Sequence, residues 1–366
     1  MAALKAAVDE RSRANNFSLL RLLAALTVVY GHSFEIARPA SGQADLVWLA
    51  LRETWSGELG VWVFFAISGF LIAKSWTERN DIVAFAGARL LRLLPALLVM
   101  LCLVTFVLAP IFTSLSSPDY FAHRGIYGFV LWNGSLLRTV YVLPGVFDAN
   151  PQADVVNKSL WTLPIEARLY VLVALAGLVG LLRRRALFNL VALALGGVIL
   201  AEPQWFGLKD MAGASALAVV FILGAAAFIN RDRIPLSGML LVAGLGLTAL
   251  LAGTALYRPA LVGAVAYATL WLAYAVPAFN VERWGDFSYG IYIYAYPLQQ
   301  AVVAIWPETT PLALFGVAGA LSLCCAVASW HLIEAPCLAL KSRRVVRSLA
   351  QDAIPATTIG PVLHEP

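Results

Sequence analysis

The sequence predicts an all-α fold: a polytopic membrane helix bundle of about ten spanning helices with both termini in the cytoplasm. Three observations carry that expectation. Of the 366 residues, 61% are hydrophobic and only 13% are charged, against about 25% charged in soluble domains. Apolar windows near the roughly 20 residues that a span needs recur from end to end, at about 18–37, 58–76, 90–110, 160–182, 186–201, 212–229, 235–254, 258–278, 287–306 and 312–338. Lysine and arginine gather at alternate ends of these windows. With the N-terminus inside, the cytoplasmic ends hold Lys5, Arg11 and Arg13; Arg79, Arg89 and Arg92; Arg183, Arg184 and Arg185; Arg231 and Arg233; Arg283; and Lys341, Arg343, Arg344 and Arg347. The outer loops hold fewer, among them Arg38, Lys158, Lys209 and Arg258, spread over more residues. The net charge of +5 is thereby read as basic residues facing an anionic lipid leaflet. No nucleic-acid partner is expected.

Taken in order, the first window is a retained helix, because its apolar run is long and "EIARPASG" after it is a poor cleavage site. The fifth is the shortest. A single membrane domain is expected over 1–345, followed by a loose cytoplasmic tail over 346–366. The longest connection, about 111–159, is polar and turn-rich and should face outside; long ordered loops are often functional. Glycine runs such as "AGLVGLL" and "GLGLTALLAGTAL" fall inside windows and read as close helix packing. No phosphate-binding or dinucleotide fingerprint is present. Cys102, Cys324, Cys325 and Cys337 have neither metal-site nor disulfide-framework spacing, and no metal is expected.

The chemistry starts in the first window, at "RLLAALTVVYGHS". Arg21 and His32 are eleven residues apart, which is roughly 20° past three full turns and about 16 Å along a helix axis. The two side chains therefore share a face, with Arg21 near the cytoplasmic end and His32 in the outer half. Glu35, three residues on, borders the same face. Arg21 alone could be a topology signal and Glu35 an ordinary interfacial acid. An intramembrane histidine is harder to explain that way, because ionisable groups in a bilayer are costly and usually face a cavity or a partner. Its neutral form is a competent base near neutral pH. Arg89 and Arg92 lie one turn apart near the start of the third window, where arginines and a helix N-terminus suit phosphate oxygens. Glu166 sits inside the fourth window with Tyr170 one turn on and Arg168 nearby, so either a functional acid or a structural Glu–Arg pair fits.

Six pieces appear in order: the Arg-x10-His pair, "GVWVFFAISGFLIAKSW", "ARLLRLLPALL", "NKSLWTLPIEARLY", "GDFSYGIYIYAYPL" and "SWHLIEAPCLALKSR". Together they resemble the acyltransferase-3 family of integral-membrane O-acyltransferases over nearly the whole chain. The resemblance implies transfer of an acyl group, often acetyl, from coenzyme A to a hydroxyl of a carbohydrate or lipid-linked glycan, in a bacterial inner membrane. On the family's pattern, Arg21 and His32 match the Arg-x10-His pair and Arg89 and Arg92 its arginine pair. Ser68 and Gly69 match "F-x-I-S-G-F", and Trp161, Glu166 and Tyr170 match "LW-x-L-x-x-E-x-x-x-Y". Ser288, Tyr289 and Tyr292 match "S-Y-x-x-Y", and Glu334 and Pro336 match "I-E-x-P". Two positions depart from it: Ala295 stands where a histidine is common, and Lys158 where a glycine is common.

The expected mechanism follows. His32 is the general base, with Glu35 or Glu166 fixing its tautomer. Arg21, Arg89 and Arg92 hold the phosphates of acyl-CoA, acetyl-CoA by default. Trp161, Tyr170, Tyr289 and Tyr292 line the substrate path, although the tyrosines could equally be packing. A covalent acyl-histidine route is compatible with the same residues. A proton-coupled transporter of a sugar or small anion is the alternative that intramembrane Arg, His and Glu suggest; the lack of internal repeats speaks against it.

Overall fold

The computed structural model describes residues 4–10, 14–37, 44–206 and 213–340, and the expected tail at 346–366 lies outside them. Among the described residues the chain is helical, with no strand. The short α1 (Leu4–Glu10) precedes α2 (Phe17–Ala37), and the short α3 (Leu46–Leu51) precedes α4 (Ser56–Arg79). The third window is one continuous rod: α5 (Ile82–Leu103), a π-helical turn at Val104–Leu108, and α6 (Ala109–Phe112). Two short helices, α7 (Ser117–Ala122) and α8 (Arg124–Gly134), lie in the long connection before α9 (Thr162–Leu178). Then come α10 (Arg185–Ala201), α11 (Ala214–Ile229), α12 (Gly238–Leu250), α13 (Tyr257–Tyr274), α14 (Ser288–Ile305) and α15 (Pro311–Ser329), which continues through a π-helical turn at Trp330–Glu334.

Each of the ten expected windows holds a helix. Five stretches are long and apolar enough to cross a membrane by length and composition: Phe17–Ala37, Ser56–Arg79, Ile82–Phe112, Lys158–Leu178 and Pro311–Leu340. Three others, α10, α11 and α12, are apolar but shorter. α12 has 13 residues, and at 1.5 Å per residue it runs about 20 Å, against a hydrocarbon core of about 30 Å. The hydropathy windows overstated its length because the turn residues after Leu250 are apolar too. The third helix also starts earlier than expected. Asp81 caps it by accepting from the backbone N–H groups of Val83 (2.8 Å) and Ala84 (3.0 Å). Arg89 and Arg92 therefore lie two to three turns inside α5, and its N-terminal partial charge is spent on Asp81 rather than on a ligand beside them.

α4 is the central rod, packed between α11 and α2, and α14 packs on α2 and α15. Glycines let α4 and α11 approach closely. A Cβ at Gly69 would lie 2.0 Å from the Phe221 carbonyl oxygen, and one at Gly224 2.2 Å from that of Ala66. Phe70 of α4 meets Phe228 of α11 edge to face across the seam, 5.4 Å between ring centroids. Gly177 gives similar room to Trp76, but Gly244 and Gly246 face open space. The expectation of close packing thus holds at Gly177 of the first glycine run, not at its Gly180, and fails for the second run. Gly224→Ala should cost at least about 1–3 kcal/mol, because backbone, not a side-chain tip, must shift. Gly244→Ala, which meets nothing, should leave the thermal unfolding midpoint of the purified protein unchanged or raise it. Equal midpoints for the two variants would refute this reading of the seam.

The long connection is pinned to α14. Gln300 donates to the carbonyl oxygens of Gln152 (2.7 Å) and Val155 (2.5 Å), Asn150 donates to that of Gln300 (2.9 Å), and Asn157 donates to that of Ile293 (2.8 Å). These bonds hold the segment before Lys158 against the bundle, where it helps to close a cavity.

Candidate active site

Two cavities lie one above the other along α2 and α4. The lower one, of about 120 Å³, has Arg21, Arg89, Arg92, Glu166, Tyr170 and Tyr289 in its wall. The upper one, of about 520 Å³, has His32, Trp55, Glu58, Lys158, Trp161 and Arg258 in its wall. Val61 and Tyr292 line both. The structure thus divides the expected site residues into two groups, with Tyr292 on the boundary, except for Glu35, which lines neither cavity and borders a separate outer space.

The lower group is a network of paired charges. Arg92 reaches Asp286 (2.7 Å) and Glu334 (3.3 Å), and Arg21 reaches the same Asp286 oxygen (3.0 Å). Asp286 also accepts from Ser288 (2.6 Å), and Glu334 accepts from Ser329 (3.0 Å). The guanidinium of Arg92 lies over the Tyr289 ring, 5.8 Å from its centroid. Burial opposes the charged form of Asp286, which stands just before α14, but Arg21 and Arg92 outweigh it and hold the carboxyl well below the usual carboxylate range. Glu166 accepts from Tyr170 and from Ser68 (3.2 Å). Arg168 is not its partner; it turns outward to the Leu137 carbonyl oxygen (3.4 Å). The three arginines are therefore not the free phosphate cradle that the sequence suggested. Buried cations need counter-charges, and Arg21 and Arg92 have them. Arg89 makes no ion pair among the described residues, and its buried Nε has no hydrogen-bond partner.

In the upper group His32 is 4% exposed. Its ring lies 4.9 Å from that of Tyr296, edge to face, and 5.3 Å from that of Trp55. Its Nδ1 has no hydrogen-bond partner among the described residues. Neither expected carboxylate is bonded to it. Glu35 pairs with Lys158, and Glu166 is in the other cavity. Packing of aromatic rings holds this imidazole, which corrects the expected carboxylate-oriented pair. Tyr292 donates to the Ser159 carbonyl oxygen (2.9 Å) and shares a hydrogen bond with Thr162 (2.8 Å), which fixes the ring between the cavities. Tyr289 donates to the Leu93 carbonyl oxygen (2.9 Å).

Four residues of this architecture escaped the sequence reading: Trp55, the ion pair Glu58–Arg258, and Asp286. A signal existed for the acids. Asp286 directly precedes the ninth window and Glu58 opens the second, and an acid at the edge of a membrane helix calls for a partner.

A helical membrane-type bundle with an internal histidine cavity beside an arginine-rich one defines a class, and comparison with known proteins agrees with it. Residues 15–331 match the acyltransferase domain of the acyltransferase-3 family. The chain belongs to that family and is an O-acyltransferase. It is 29% identical to Nodulation protein 10 of Rhizobium leguminosarum bv. viciae over 375 residues, covering 92% of this chain and 96% of the relative. It is 27% identical to an O-acetyl transferase of Shigella phage Sf6 over 318 residues, covering 80% and 86%. No solved structure matches it significantly.

Proposed function

We propose that this enzyme carries an acyl group, acetyl by default, from cytoplasmic acyl-CoA to a hydroxyl of a carbohydrate or lipid-linked glycan on the far side of a bacterial inner membrane. The chain crosses that membrane about ten times with both ends inside. The observation that supports this reading is the pair of adjacent cavities that share Val61 and Tyr292 in their walls, arginines in one and His32 in the other. The donor enters by the arginine cavity with Arg89 meeting a phosphate, and its thin pantetheine arm passes Tyr292. The acceptor arrives past Lys158 and Trp161. His32 takes the hydroxyl proton as the oxygen attacks the thioester carbonyl. The carbon–sulfur bond breaks, and the leaving thiolate takes the proton back from the imidazolium. The relative called an O-acetyl transferase supports acetyl as the group.

Free-thiol release from acetyl-CoA by the purified protein, with and without a panel of cell-surface glycans, tests the reading. Glycan-dependent release is expected; folded protein that releases no thiol with any donor or acceptor refutes it. Arg89→Ala should raise the KM for acetyl-CoA about tenfold or more with kcat little changed, as loss of a charge-assisted contact to the donor predicts. An unchanged KM would remove Arg89 from donor binding.

A further inference from the structure

Above His32, on the side away from the arginines, the upper cavity ends on the Trp55 indole. Beyond it lies an open cleft, of about 370 Å³, bounded by Phe34, Glu35, Asp45, Trp48 and Lys158. Trp55 and Lys158 line both spaces, so the indole, beside the Lys158 side chain paired to Glu35, forms the partition between them. It is also held fast. It rests on the bare backbone of two helices: a Cβ at Gly57 would lie 2.1 Å from the ring, and one at Gly31 2.7 Å. The next residue is tied down as well, because Asp45 accepts from the Ser56 backbone N–H (2.8 Å) and hydroxyl (2.6 Å). Two glycines and a buried carboxylate thus fix one ring against the imidazole.

Chain order gives the direction. On α4 the boundary residue Val61 lies one turn inside Gly57, and Trp55 caps the outer end of that helix. On α2, Gly31 and His32 are level with Gly57, and Glu35 lies one turn further out. A donor entering from below, with its thioester at His32, points its acyl chain at the indole. We infer that Trp55 is the specificity-determining residue that restricts the transferred group to a short acyl chain, acetyl or little longer, and that the space behind it would admit a longer chain if the ring were removed. This rests on the donor and acceptor routes proposed above. A pocket that discriminates by size gives about tenfold or more per misfit methylene, so a rigid ring at this place is enough to set chain length.

The test compares kcat/KM for acetyl-, butyryl- and hexanoyl-CoA with one glycan acceptor, in wild type, Trp55→Phe and Trp55→Ala. Wild type should strongly favour acetyl-CoA. The hexanoyl-to-acetyl ratio should rise about tenfold or more in Trp55→Ala, with Trp55→Phe in between. The graded pair keeps the test decisive if the alanine variant does not fold. A wild type that uses hexanoyl-CoA as well as acetyl-CoA overturns the inference. So do folded variants with the wild-type ratio, and in either case the acyltransfer reading stands. A wild type that consumes no thioester at all removes that reading, and this inference with it.

Discussion

His32→Ala lowers acyl transfer by a factor of about 10² to 10⁴, the range that a lost general base gives, while the protein still inserts and folds. The structure explains why the two effects separate. His32 Nδ1 has no hydrogen-bond partner among the described residues, so truncation orphans no buried donor or acceptor there. The lost contacts are those with Trp55, which Gly31 and Gly57 still back, and with Tyr296, which stays fully buried in the core. Thiol release beside a thermal unfolding scan in detergent measures both. Wild-type turnover by well-folded His32→Ala would remove the histidine from the chemistry.

The second large effect belongs to stability. Asp286 is the shared counter-charge of Arg21 and Arg92, and all three side chains are largely buried. Asp286→Asn leaves two guanidiniums without their common carboxylate. Breaking a buried pair in this way costs about 3–5 kcal/mol, and Glu334 relieves only Arg92. The same carboxyl gives a pH signature. Burial raises its pKa, but Arg21 and Arg92 pull it below the unfolded value. A group with a lowered folded pKa contributes stability that is present above its unfolded pKa, about 3.9 for aspartate. That contribution disappears as the pH falls towards the folded value. Wild type should therefore lose unfolding midpoint on acidification, and Asp286→Asn should begin lower and lose less. An asparagine variant with the wild-type midpoint and the same acid slope would contradict the assigned role of the network.

Periodicity and spacing were sufficient to find the helices of the ten apolar windows, though not the short α1, α3, α7 and α8, and to put Arg21 and His32 on one stripe, because both are local properties of a single helix. They could not find what the stripe meets. Asp286 joins Arg21 and Arg92 from a turn far along the chain, and Glu334 comes from the end of the last helix. Sequence reading consequently left the arginines free for phosphates when two of them are already neutralised. Glu35 looked like a partner for His32 because it lies three residues away; it turns instead to Lys158, a cation supplied by the segment before α9. Trp55 carried no motif at all. Its position follows from glycines at 31 and 57 that make contact only after α2 and α4 pack. Span length misled for α12, since apolar composition continues through a turn that ends the helix.

The most direct test of two cavities that share Val61 and Tyr292, with His32 in the upper one, is vectorial transfer. Proteoliposomes are prepared with the glycan acceptor sealed inside and labelled acetyl-CoA added only outside, beside a His32→Ala control. Label should appear as an ester on the enclosed glycan, with wild type alone. Label that reaches glycan only when donor and acceptor share the same side of the bilayer would contradict the arrangement.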